Sequence, residues 1–187
     1  MERRFLLREL PVRAARPRAI HDSYIRGTRL RLRRAADPLQ FKLGQKLRAD
    51  ADDPAVVHLT NFYLSQEEYD LLATLPADEV TKTRYWVVAG GVTLSVDVFS
   101  GVLAGLILAE TSFDDVAEME RLAVPSFALA DVSHDDRFSG GTLARTSRAG
   151  LVTLLAERGI DALSTARESG GGRESNPPGG SSPPQRF

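Results

Sequence analysis

Arg29-Leu30-Arg31-Leu32-Arg33-Arg34 alternates charged and apolar side chains with a period of two. Successive side chains of a β-strand point to opposite faces, so this spacing predicts a strand with Arg29, Arg31 and Arg33 on one face and Leu30 and Leu32 on the other. Three guanidiniums in one row repel each other unless anions lie opposite them. The planar Arg fork is the side chain best shaped to hold a phosphate or carboxylate by two parallel hydrogen bonds. A solvated strand face with scattered salt bridges is the plain alternative. Recurrence of the pattern elsewhere decides between the two.

It recurs on both sides. Towards the N-terminus, Glu2 to Leu10 is predicted as a strand ended by Pro11, and Ala19 to Ile25 as a second, with Gly27 turning into the arginine strand. Beyond the Asp37-Pro38 turn, Leu39 to Leu47 is a fourth strand, with Gln40, Lys42 and Lys46 on one face and Phe41 and Leu43 on the other. Val56 to Leu64 is a fifth, after a polar loop. Ser65 and Glu68 form a capping-box signature for a short helix that Pro76 stops. Strands resume over Val80 to Ala89, a Gly90-Gly91 hairpin turn, and Val92 to Ser100. Leu106 to Phe113 is the eighth strand. Two helices are then expected: Asp114 to Leu122, capped by Asp114, and Thr142 to Arg158, burying Leu143, Leu151, Leu154 and Leu155.

Eight strands with short connections predict an α+β, mainly β fold. The expected architecture is an eight-stranded antiparallel closed barrel with helices packed outside, since closure removes exposed edges. A barrel of that size has an interior that side chains fill or that holds one small ligand. The domain is expected over 1–160, and the Gly, Ser and Pro content of 167–187 predicts a disordered tail.

Composition narrows the classes. Apolar residues make up 42% and charged residues 26% of the 187 positions, as in an ordinary globular domain. There is no cysteine, which removes disulfides and thiolate metal sites and fits a reducing, cytoplasmic compartment. No apolar run approaches the roughly 20 residues of a membrane span. The charge is uneven: residues 1–50 carry a net +9, residues 51–136 a net −13 and residues 137–187 a net +3. A basic first third can signal nucleic acid, but Arg alternating with Leu, without interleaved aromatics, argues against it. His21, His58 and His134 lack ligand spacing and read as ordinary residues. No Gly-rich loop precedes a helix, which argues against a P-loop or dinucleotide fold, and no nucleophile elbow is present.

Charged residues of shared parity recur strand by strand: Glu2 and Arg4, then Arg29, Arg31 and Arg33, then Lys42 and Lys46, then Lys82 and Arg84. Asp97 and Glu110 stand out as single carboxylates inside apolar strands. A buried carboxylate needs a cation, so each either pairs with an Arg or Lys across the barrel or serves as an oxygen ligand for Mg²⁺ or Mn²⁺.

These segments resemble the CYTH superfamily, the triphosphate tunnel metalloenzymes, over about residues 1–145. Glu2-Arg3-Arg4-Phe5-Leu6 looks like the end of the N-terminal E-x-E-x-K/R signature, and Ile20-His21-Asp22-Ser23-Tyr24 is similar to I-x-Q-x-Y. Arg29 to Arg34 resembles the R-x-R-R strand, Phe41-Lys42 the strand with a phosphate-binding lysine, and Lys82-Thr83-Arg84-Tyr85 the K-x-R-Y segment. Val96-Asp97-Val98-Phe99, Gly105 to Glu110, and Asp131-Val132-Ser133 through Asp136-Arg137-Phe138 are similar to V-D-x-F, G-L-x-x-A-E and E-V-T-x-D-x-R-Y. Their order and spacing carry the likeness, since each piece alone is weak.

The resemblance implies an eight-stranded tunnel that binds a triphosphate end-on. Arg4, Arg29, Arg31, Arg33, Lys42, Lys82 and Arg84 would hold the phosphates. Glu2, Glu110 and Asp97 would hold Mg²⁺ or Mn²⁺. Lys82 and Tyr24 match positions proposed to orient the attacking water in some bacterial members. The expected activity is metal-dependent hydrolysis of inorganic tripolyphosphate or a similar small triphosphate, by positioning and charge neutralisation. The alternatives are a non-catalytic binder of polyphosphate or nucleotide, an adenylate cyclase-type enzyme, and a polar-cored barrel with structural ion pairs alone. Two departures thin the metal half. The first Glu of E-x-E would fall before Met1, and A-E-x-E is Ala109-Glu110-Thr111-Ser112 here, with Ser112 in the second Glu position. The segment His58 to Asn61 also lacks a carboxylate.

Overall fold

The computed structural model describes residues 1–11, 14–48 and 57–161. The strands are β1 (Glu2–Leu7), β2 (Ala15–Ile25), β3 (Leu30–Ala35), β4 (Gln40–Arg48), β5 (Val57–Leu64), β6 (Ala77–Ala89), β7 (Val92–Phe99), β8 (Ile107–Ser112) and β9 (Ala128–Asp131). The helices are α1 (Gln66–Leu72), α2 (Val116–Arg121), α3 (Gly140–Leu143) and α4 (Arg148–Ala156), with 3-10 turns at Gly101–Leu103 and Asp136–Phe138. The tail expected over 167–187 lies outside the described residues.

All strands join one antiparallel sheet in the order β5-β4-β3-β2-β6-β7-β8-β1-β9. The expectation of a closed eight-stranded barrel is corrected: the sheet is open, with β5 and β9 at its edges. The edge of β1 that closure would use is bonded instead to β9 through Phe5, Leu6 and Leu7. The four-residue β9, Ala128-Leu129-Ala130-Asp131, carries little alternation and gave no strand signal. The sheet is nevertheless strongly curled. Lys46 on β4 reaches Glu2 on β1 at 2.7 Å, although β4 and β1 are each second from opposite edges.

Local signals explain most boundaries. Gly90 and Gly91 take positive φ of 56° and 78°, as a two-residue hairpin turn between right-twisted strands requires. Ser65 and Glu68 complete the capping box of α1. Asp115, one residue beyond the expected Asp114, caps α2 by accepting from the Glu118 amide. The single helix expected over Thr142 to Arg158 is two helices. Ser147 accepts from the Gly150 amide and starts α4 afresh, because a serine hydroxyl offers the backbone an N-cap in place of helix continuation.

The apolar core has two parts. Phe5, Leu7, Val87, Leu94, Val96 and Ala109 lie on the convex face with Phe113 and Leu122, beside α2. Leu6, Phe99 and Leu108 share strand parity with the charged residues of the concave face. They pack there with Phe138, Leu143, Leu151, Leu154 and Leu155 from the C-terminal turn, α3 and α4. The helices are therefore not all outside: α3 and α4 close one end of the concave space. Each such Leu or Phe contributes about 1.5–3 kcal/mol on burial.

Candidate functional site

The concave face encloses a cavity of about 840 Å³. Its walls carry one polar layer at depth and a second near the rim.

At depth, Arg33 on β3 donates from Nε and Nη2 to both oxygens of Asp22 on β2, at 2.6 and 2.7 Å. Arg84 on β6 donates in the same bidentate way to Asp97 on β7, at 2.7 and 2.7 Å. Lys82 Nζ links the two pairs, lying 2.6 Å from Asp97 and 3.8 Å from Asp22. Register produces the layer: Asp22 is directly opposite Arg33, and Arg84 is directly opposite Asp97. Both carboxylates are 1% exposed, so their charges are tolerable only because each is fully paired. Burial pushes the Asp22 carboxyl up. The Arg33 hydrogen bonds, with the charges of Arg33, Lys82 and Arg31, outweigh it and hold the group well below the usual carboxylate range.

Near the rim, Arg4 on β1 donates to Glu110 on β8 at 2.6 Å and lies 3.6 Å from Glu2. Lys46 donates to both oxygens of Glu2 at 2.7 Å. Glu110 is raised by desolvation, but the charges of Arg4, Lys46, Lys82 and Arg84 outweigh that and lower its pKa. Arg31 is placed differently. Its Nε lies 3.8 Å from Asp22 and, among the described residues, is buried without a hydrogen-bond partner. Gly44, opposite Arg31 on β4, gives this guanidinium room, since a Cβ there would sit 3.3 Å from Arg31 Nη2.

Six cations of these layers, Arg4, Arg31, Arg33, Lys46, Lys82 and Arg84, face four carboxylates, Glu2, Asp22, Asp97 and Glu110. The excess is positive, so the concave face favours an anion.

The remaining expected residues divide. Arg29 lines the cavity from the exposed segment before β3. Tyr24 lines it beside α3, and burial, aided by the Asp22 charge, pushes its phenol up to about 12. At neutral pH Tyr24 is therefore a hydrogen-bond donor and not a phenolate base. Lys42 is not in the wall of this cavity. It lies over the Tyr63 ring at 4.6 Å and lines a separate cavity of about 110 Å³ with Arg18, Arg33 and Arg84. Asp97 has its oxygens engaged by Arg84 and Lys82, which is the ion-pair alternative read for it from the sequence.

Of the carboxylates expected from the sequence to hold a metal, Glu2 and Glu110 line the cavity, each paired with a cation. They lie on paired strands beside Ser112, which is directly opposite Glu2. Among the described residues, no group of three or more His, Cys, Asp or Glu side chains converges on one point. Two carboxylates suit Mg²⁺ or Mn²⁺ when phosphate oxygens and waters complete the shell.

Sequence reasoning missed Asp22 as a site residue, although its parity with Tyr24 was available as a signal. It also missed the part played by α3. A Cβ on Gly140 would overlap the Tyr24 hydroxyl, so this glycine is what lets α3 pack over Tyr24. Gly140→Ala is expected to destabilise the fold by about 1–3 kcal/mol through overpacking, read as a lower urea midpoint with unchanged slope.

No protein-family model matches the chain, and no curated protein matches it. Among solved structures, one described as the hypothetical protein NE1496 superposes with a TM-score of 0.57 at 20% identity, covering 79% of this chain and 98% of that one. A second, described as the inorganic triphosphatase NE1496, superposes with a TM-score of 0.55 at 20% identity, covering 77% and 96%. Those identities speak to the fold alone. The chain has the fold of NE1496.

Proposed function

We propose that this chain binds a small triphosphate in the concave cavity and hydrolyses its terminal phosphoanhydride with Mg²⁺ or Mn²⁺. The observation that carries the reading is the cationic wall of the cavity, in which six Arg and Lys side chains face four carboxylates. Arg31, Lys46 and Arg4 would grip the phosphates near the rim, and Tyr24 would donate a hydrogen bond from the α3 side. Lys82, held between Asp97 and Asp22, would position charge next to the ligand. Glu2 and Glu110 would hold the metal together with phosphate oxygens, where it supplies charge neutralisation on the phosphoryl group. That NE1496 is an inorganic triphosphatase supports the substrate class. No described helix is long and apolar enough to cross a membrane.

Phosphate release from tripolyphosphate with Mg²⁺ or Mn²⁺ tests the reading. Metal-dependent release supports it, and binding without release turns it into the second reading, a non-catalytic phosphate binder. One observation favours that second reading: both candidate metal carboxylates are already held by Lys46 and Arg4. A melting temperature unmoved by tripolyphosphate removes both, since a ligand specific to the native state must raise it.

The wall also makes a graded prediction. Arg31→Ala is expected to weaken tripolyphosphate binding by about 1–3 kcal/mol, the scale of one charge-assisted contact. Lys42→Ala, in the smaller cavity, is expected to weaken it less. Calorimetric titration of both variants checks the order, and the reverse order would move the ligand to the other cavity.

A further inference from the structure

The deep layer of ion pairs is also a partition. Arg33 and Arg84 line both the 840 Å³ cavity and the 110 Å³ cavity, so the layer stands between the two. Asp22 is at its centre. Its two oxygens fill the Arg33 fork, and Arg31 and Lys82 each lie 3.8 Å away. Two oxygens facing a guanidinium fork with further cations alongside is also how a phosphate group would be held. Asp97 repeats the arrangement against Arg84.

We infer that Asp22 is a built-in anion that occupies the inner phosphate seat and limits the ligand to short phosphate chains held in the larger cavity. The inference rests on the proposed function and specifies its substrate class. A phosphate moving inward would have to displace a carboxylate that is carried on a central strand and cannot diffuse away. It would also meet the like charges of Asp22 and Asp97 in a poorly solvated place. Beyond the layer the wall turns cationic again, with Arg18 and Lys42. A longer chain that passed Asp22 would find partners there. Asp22 therefore sets length selectivity, and Lys42 records whether a chain has passed.

The test is titration of tripolyphosphate and of a longer linear polyphosphate, without metal, into wild type, Asp22→Asn and Asp22→Asn/Lys42→Ala. Wild type is expected to bind tripolyphosphate more tightly per chain than the longer anion. Asp22→Asn should prefer the longer chain by about tenfold or more, a difference of about 1.4 kcal/mol. That preference should vanish in the double variant. An unchanged length profile in Asp22→Asn, or a gain that survives loss of Lys42, overturns the inference. If Asp22→Asn does not fold alone, restoration of a cooperative melt by the longer chain more than by tripolyphosphate supports the inference, and failure to restore it overturns it. Wild type that binds tripolyphosphate beside an unchanged variant removes only the role of Asp22. Silence of every protein towards both anions removes the triphosphate reading as well.

Discussion

Glu110→Ala is expected to reduce metal-dependent phosphate release by at least about 100-fold, beyond the effect of losing a group that only supports a metal ligand. Binding of metal-free tripolyphosphate should persist. Glu110 and Glu2 are the carboxylates of the outer ion-pair layer, and Glu110 accepts from Arg4 at 2.6 Å. Under the proposed function its removal takes away a metal ligand and frees Arg4, so metal and anion binding should move apart. The complementary change is Ser112→Glu. Ser112 is exposed and directly opposite Glu2, so a carboxylate there adds a third oxygen donor group to the same layer. It should lower the Mn²⁺ concentration needed for half-maximal release, because a hydroxyl brings no charge to offset the cation. Phosphate release against Mn²⁺ concentration for the three proteins is the measurement. Full activity in Glu110→Ala with an unmoved curve in Ser112→Glu would place the metal elsewhere.

The second large effect is on stability. Asp97→Ala is expected to cost about 3–5 kcal/mol, because it leaves Arg84 and Lys82 buried without their counter-ion. Against a typical stability of about 5–15 kcal/mol, that removes a large share. Glu2→Gln is the contrast. Its partner Lys46 is 37% exposed, so solvent screens the pair and the cost should stay within about 1 kcal/mol. Urea unfolding of both variants checks the difference. Equal costs would mean that the deep layer is more hydrated than its 1% exposed carboxylates indicate.

Most strands were legible from the chain because side-chain parity is a local property. Alternation over Arg29 to Arg34 sends Arg31 and Arg33 to one face wherever the strand goes, and the Gly90-Gly91 turn and the Ser65 cap are equally local. Parity also places Arg4, Lys82, Arg84 and Glu110 in a shared polar interior, whereas the closed eight-stranded tunnel that the motifs imply is not formed. Partners across strands were another matter. That Asp22 clamps Arg33 and Asp97 clamps Arg84 follows from register, which pairing across the sheet decides. The open edge depended on β9, a four-residue strand stabilised by its bonds to β1 and not by its own pattern. Lys42 and Arg33 share parity with the rest, yet sheet curl puts Lys42 in the smaller cavity and Arg33 in the wall between the two. The sequence by itself determined which residues are strand, which face they take and the sign of the charge they carry. Only the tertiary structure decided which cations are neutralised by which carboxylates, because that depends on cross-strand register and on the curl that brings distant strands such as β4 and β1 together.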